Sequence, residues 1–452
     1  MSRIGFSGVV IAYLVLVLLF GGASAAGFVP NAVLQVLGAL LLGWCLAAPD
    51  PLAAPWPSGL RRCAIALLVL IAVQFIPLPP FVWSALPGRG IITDGYAALN
   101  QPAPWQMLSL SPWNTVAALA WWIPALALAV ALTRSTAPSS AALARTVASV
   151  AVVSIAFGAM QRAGGQFYFY QITNYGLGTG FFANANHQAS FLLCALALWA
   201  AGFSSQRGAG VRRDRLKIGP ALYLAVLGLL ILGIILSNSL AGIGLLVLIL
   251  IATVVTTPAD LQPSRPLVWL GLALVTAAVF AMVWWGTAGA DLGQKAIDPG
   301  QTRLDFNRNG LALLRDIAPF GTGLGTFQEV YHWTESPNAV TNVYVNHAHN
   351  DLLELLIETG VFGLIALSLF LLWWARRAWD LWQAGRANSF ALGGAIMTAA
   401  ILAHSLVDYP LRTAAISSLF AMGCVLMIRS EPDSRRSGAR GNAGASKDFV
   451  SI

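Results

Sequence analysis

Charge is the first thing this chain is short of. Only 10% of its 452 residues are Asp, Glu, Lys or Arg, while 57% are hydrophobic. Soluble domains carry roughly 25% charged residues, so that class is excluded. Cysteine is scarce as well. Cys45, Cys63, Cys194 and Cys424 sit in or beside apolar runs with no paired spacing. That excludes a disulfide framework and a cysteine metal site, and leaves four small buried hydrophobes. No His-Glu-x-x-His pattern and no useful internal repeat is present. What the chain has in plenty is uncharged runs, each near the ~20 residues that cross a bilayer. The fold class is therefore all-α, a polytopic membrane protein, because open sheets leave backbone groups unsatisfied in lipid. The net charge of +8 requires no nucleic acid; cytoplasmic loops of membrane proteins collect Lys and Arg.

Twelve transmembrane helices are expected, at about 5–25, 30–49, 62–79, 113–132, 141–160, 187–204, 218–236, 239–257, 266–286, 359–375, 390–409 and 412–428. The first opens with Arg3 and closes on Ala23-Ser24-Ala25, which imitates a cleaved signal peptide; the many spans that follow favour an uncleaved anchor. With the N-terminus inside, 19 of the 26 Lys and Arg residues fall in inner segments and 7 in outer ones. Both termini are then cytoplasmic and all five histidines lie at or near the outer face, the periplasm of a Gram-negative host. The chain divides into a bundle of nine spans (1–286), a large outer loop with short helices (287–358), three further spans (359–429) and a Ser/Gly/Arg-rich tail (430–452) expected to be disordered. Within the large loop, Leu304, Leu311, Leu314 and Ile317 recur at helical spacing.

The densest polar stretch runs from Asn346 to Gly363 and reads NHAHNDLLELLIETGVFG. A helix should start near Asn350, a good N-cap, with Asp351 and Glu354 in the turn that suits the helix dipole. Capping explains Asn350 and Asp351, but not His347 and His349 beside them. A histidine flanked by carboxylates is a plausible general base for a hydroxyl. A zinc reading with His347, His349 and His187 is the other sharp one; no cysteine supports it, and no metal is expected.

Three further constellations face outward. Asn184, Asn186, His187 and Gln188 stand beside Phe181 and Phe182 at the mouth of the sixth span, either as hydrogen-bonders for a sugar or polyprenyl chain or as a turn that caps the span. Arg303, Arg308, Arg315, Arg162 and Arg412 are candidate phosphate partners, against snorkelling or pairing with Asp305 and Asp316. His404 and Asp408, four apart on the eleventh span, form either a proton-handling pair or a structural one.

His349-Asn350, nine residues from Asp351 to Thr359, Gly360, two residues and Gly363 together resemble the hallmark of the O-antigen ligase / O-antigen polymerase family of bacterial inner-membrane proteins. FGTGLGTF (Phe320–Phe327) followed by Tyr331 resembles the family's glycine-rich stretch, Arg303 stands where the family has an arginine, and GFFANANHQA and HSLVDYPL are similar to family segments. The resemblance covers about 175–430. Ser239-Leu240-Ala241-Gly242 and Leu177 depart from positions where many members carry arginine.

The resemblance implies an inverting, metal-independent glycosyltransferase without cofactor, working at the periplasmic face. It would move a glycan from undecaprenyl pyrophosphate to an acceptor hydroxyl. His349 would be the catalytic base. Arg303, Arg308, Arg162, Arg412, Asn350, His347, Asn184, Asn186, His187 and Tyr331 would bind substrate. Ligase activity, with lipid A-core or protein as acceptor, is favoured by the full histidine–glycine pattern. A polymerase of O-antigen or exopolysaccharide would use a second lipid-linked repeat instead. A small-molecule or ion transporter, with His404–Asp408 as relay, is the alternative of another class; it would predict paired broken helices at midplane depth.

Overall fold

A computed structural model describes residues 3–24, 27–48, 50, 56–208, 219–257, 303–335, 345–384 and 388–429. It is mostly helical; the one ladder among the described residues pairs Pro77–Leu78 with Gln106–Met107. Among the described residues, five helices are long and apolar enough to cross a membrane: Phe28–Ala47, Pro112–Leu132, Ser140–Gly164, Ala185–Gln206 and Asp351–Gln383. Shorter apolar helices occupy Gly5–Phe20, Pro220–Leu236, Leu240–Thr256, Ser389–His404 and Ala414–Ile428. The expected span at 266–286 and the tail beyond 430 lie outside the described residues.

The Ala185–Gly208 helix is the axis of the bundle. Ser140–Gly164, Pro220–Leu236, Leu240–Thr256 and Ser389–His404 all pack on it. Of these, Pro220–Leu236 and Leu240–Thr256 bury one side and turn leucines outward, among them Leu222, Leu232 and Leu248. In lipid, helices associate by close packing between small residues more than by removing apolar surface from water. Gly394 illustrates this: a Cβ there would stand 2.7 Å from the Gly423 carbonyl of the neighbouring helix.

Proline and glycine set the breaks. The fourth span is two helices, Pro112–Ala120 and Ile123–Leu132, and Pro124 begins the second. The third helix, Ser58–Gln74, stops short of the expected 79 because Pro77, Pro79 and Pro80 follow. The eleventh helix ends at His404 rather than at 409, so Asp408 sits in the turn ahead of Pro410 and not on a helix face.

The stretch expected to form the outer loop has its own small core, in which Leu313, Ile317, Phe327, Val330, Tyr331, Leu353 and Ile357 are buried. The stripe of the Arg303–Ile317 helix is rotated from the one leucine spacing suggests. Gly310, Leu313 and Ile317 face inward, whereas Leu311 is 49% exposed. A Cβ at Gly310 would lie 2.9 Å from Leu353, so a residue that counts as neutral in a hydrophobic pattern marks the closest approach.

Asp351–Gln383 is one run of 33 residues interrupted at Gly360, whose φ 55°, ψ −140° is open only to glycine. The break is clamped by a glycine strap, residues 319–325. Val361 N–H donates to Pro319 O (2.8 Å), Thr322 N–H to Ile357 O (3.1 Å) and Gly323 N–H to Glu358 O (2.7 Å). On its other side the strap accepts Leu110 N–H at Thr322 O (2.7 Å). A Cβ at Gly360 would run into the Pro319 carbonyl. Gly360→Ala is therefore expected to cost at least about 1–3 kcal/mol of stability from backbone strain alone. A lowered unfolding midpoint in detergent checks it; an unchanged midpoint would show that the strap yields.

Candidate active site

Glu354 builds the turn that presents His349. Its Oε1 lies 2.8 Å from His347 Nδ1, and its Oε2 accepts the Ala348 N–H at 2.9 Å. Asn350, in extended backbone, then caps the Asp351 helix by accepting Leu352 and Leu353 N–H, both at 3.1 Å. Between these two anchors His349 is forced to φ +51°, a left-handed conformation that a histidine rarely adopts.

The forced turn aims His349 at Asp408. Nδ1 stands 3.4 Å from Asp408 Oδ1, at ion-pair distance though without the alignment of a hydrogen bond. Asp408 is fully buried, whereas the His349 side chain is 26% exposed. Asn186 Nδ2 donates to the second Asp408 oxygen, and Tyr409 N–H donates to the first at 2.9 Å. His187 Nε2 is 3.9 Å from that same oxygen. Tyr409 packs against three imidazoles, with centroids 4.4 Å from His347, 4.9 Å from His349 and 5.0 Å from His187. Phe306, from the outer-loop helix, stacks on His349 at 5.6 Å and 13°. His404 is held separately, its Nδ1 2.7 Å from Ser190 Oγ.

Arg412 gathers the acids. Its guanidinium reaches Asp351 Oδ1 (3.6 Å), Glu354 Oε1 (3.4 Å) and Glu358 Oε2 (3.1 Å). Glu358 Oε1 also accepts the Gly325 N–H at 2.9 Å, which ties the glycine strap into the cluster. Asp351 in turn accepts Ser405 Oγ–H (2.7 Å) and Leu411 N–H (3.3 Å). These acids precede the break at Gly360 and stand outside the apolar run that follows it. Burial pushes the Asp351 carboxyl up to about 7, although Arg412 pulls the other way. Glu354 meets the same burial penalty, yet Arg412 and then His347 outweigh it and hold it below the usual carboxylate range.

Of the residues expected from sequence, His347, His349, Asn350, Asn186, His187 and Arg412 converge here. Asn184 caps the sixth helix, its Oδ1 accepting Asn186 N–H at 2.8 Å. Tyr331 is buried in the outer-loop core, its hydroxyl 3.1 Å from Asn309 Nδ2. Arg308 and Arg162 are exposed at helix surfaces. Arg303 opens the outer-loop helix one turn before Phe306, and its side chain lies outside the described residues. Gly360 makes the helix break, and Gly363 packs within the same helix against Thr359. Sequence reasoning missed Phe306, Tyr409 and the convergence of three acids on one arginine. It had singled out Asp408, but with His404 as partner. Among the described residues, no group of three or more His, Cys, Asp or Glu is arranged to hold a metal ion.

The arrangement supplies a solvent-reachable imidazole backed by a buried carboxylate, which is the equipment for taking a proton from a hydroxyl. Residues 225–368 match the family model described as O-Antigen ligase. The match includes the glycine strap, His349 and Gly360 but stops before Asp408 and Arg412. No curated protein matches the chain.

Proposed function

We propose that this chain, on the premise of its O-antigen ligase domain, is an inverting glycosyltransferase of the bacterial inner membrane. Its donor is a glycan on undecaprenyl pyrophosphate, its acceptor is lipid A-core, and its site opens to the periplasm. Twelve spans with both termini cytoplasmic complete this reading. The observation that carries it is His349, partly exposed and set against the buried Asp408 carboxylate.

With Nδ1 turned to Asp408, Nε2 is the atom left to receive the acceptor's proton. The acceptor oxygen attacks the anomeric carbon from the face opposite the pyrophosphate. The new C–O bond forms as the bond to phosphate oxygen breaks, and that electron pair leaves with the pyrophosphate. Asp408 stabilises the imidazolium that results. Arg303, with Arg308 near it on the same helix, stabilises the departing charge. Arg412 is better suited to organising the acids, since three carboxylates already meet its charge.

A strain deleted for this protein tests the reading through its surface glycans and its polyprenyl-linked sugars. Bare acceptor, with long polymer trapped on the lipid, is the expected result. Acceptor capped by a single repeat would make the enzyme a polymerase instead. Unchanged glycans would remove the transferase reading and return the transporter.

A further inference from the structure

Next to the reaction centre lies a cavity of about 240 Å³, between the Pro112–Ala120 helix, the glycine strap and the start of the Asp351 helix. His347 lines it; His349 does not, and Tyr409 packs against both rings. The cavity therefore abuts the catalytic histidine without containing it. It is smaller than the roughly 300–1,000 Å³ that hold drug-sized ligands, which suits one or two sugar rings.

Its lining has two characters. Trp121 gives ring surface, and the amides of Asn114, Gln328 and Asn346 give hydrogen-bonding groups. A sugar ring offers the complement of both, an apolar C–H face bordered by hydroxyls. The charge in the lining has one sign in excess. Among the described residues Arg412 is its single cation, and it is held by Glu354 at 3.4 Å and Glu358 at 3.1 Å. Glu329 adds a further carboxylate, accepting a hydrogen bond from Asn114 Nδ2. A phosphate or uronate entering here would meet carboxylates whose guanidinium is already engaged, and like-charge contact of that kind suppresses wrong partners.

We propose that this cavity is the subsite for the terminal sugar of the acceptor, that this sugar is neutral or carries an amine, and that the carboxylates turn away uronic acids and phosphorylated sugars. The word acceptor rests on the transfer reading above, whereas the saccharide binding does not require catalysis. The pyrophosphate end of the donor is thereby assigned to the opposite side of Tyr409, toward the outer-loop helix.

Saturation-transfer NMR on the full chain in nanodiscs, with lactose, a glucosamine disaccharide and digalacturonic acid as probes, tests the assignment. The first two are expected to bind, and digalacturonic acid at least about tenfold more weakly. Glu329→Gln is expected to narrow that gap by strengthening digalacturonate binding, a gain that misfolding cannot produce. Trp121→Ala is expected to weaken all saccharides while Trp121→Phe restores them. Failure of lactose and the glucosamine disaccharide to bind, digalacturonate binding equal to lactose, or an unchanged gap in Glu329→Gln would each overturn the subsite and leave the transfer reading standing. Unchanged glycans in the deletion strain, with the charge preference intact, would remove the transfer reading and leave the saccharide site.

Discussion

His349→Ala is expected to slow glycan transfer by about 10²–10⁴-fold, the span that a positioned general base contributes, while the protein remains inserted and folded. Folding survives because the ring is partly exposed and its Nδ1 makes no aligned hydrogen bond that truncation would strand. What is lost structurally is the Phe306 stack and the edge contact with Tyr409, on the order of 1 kcal/mol. Asp408→Asn separates the charge from the shape. The single amide oxygen keeps one of the two donors, the Tyr409 N–H or Asn186 Nδ2, which bond separate oxygens of the carboxylate, so some loosening of the turn is expected beside the lost charge. The imidazolium formed during transfer loses its counter-charge, and a drop of about 10²-fold or more is expected by analogy with catalytic triads. Initial rates of lipid-linked donor consumption in proteoliposomes, alongside unfolding midpoints, check both variants. A His349→Ala rate within a few-fold of wild type ends its role as base.

The second large effect is on stability. Arg412→Ala removes the cation that Asp351, Glu354 and Glu358 share, all three buried at 8%, 1% and 1% exposure. Breaking a buried pair by deleting one partner costs about 3–5 kcal/mol, because the remaining charge has neither water nor counter-ion. The damage spreads, since Glu358 also holds Gly325 of the strap and Glu354 holds the turn before His349. Arg412→Lys is expected to fall between, as one ammonium cannot reach with Nε toward Asp351 and Nη2 toward the two glutamates. Denaturant unfolding of the reconstituted protein reads the difference. A loss under about 1 kcal/mol would mean that the acids meet the change by taking up protons.

The sequence made the helices easy to find and their ends hard. Apolar runs are long and charge-free, so lipid chemistry exposes them directly; the breaks at Trp121–Trp122, Gly360 and His404 depend on proline and on glycine dihedrals that hydropathy does not weigh. The same division runs through the site. His349, Asn350, Gly360 and Gly363 were legible because one short helix fixes their spacing. Asp408 was visible as a residue but not its neighbours His349 and Asn186, since i, i+4 spacing presumes a helix that has ended at His404. Arg412 looked like a phosphate ligand because a sequence shows a cation but not the acids folded onto it. Phe306 and the sugar-facing Trp121 and Glu329 lie on separate segments, and only packing brings them near the histidines.

The strap between Pro319 and Gly325 meets the Gly360 break and the Leu110 segment mainly through main-chain groups, with the Glu358 and Thr322 side chains joining in. Main-chain contacts are indifferent to the neighbouring side chains, which leaves Asn114, Gln328 and Glu329 free to be exchanged without disturbing how His349 meets Asp408. A scaffold of this kind can diversify the glycans it handles by a few substitutions along one rim while inheriting its chemistry unchanged.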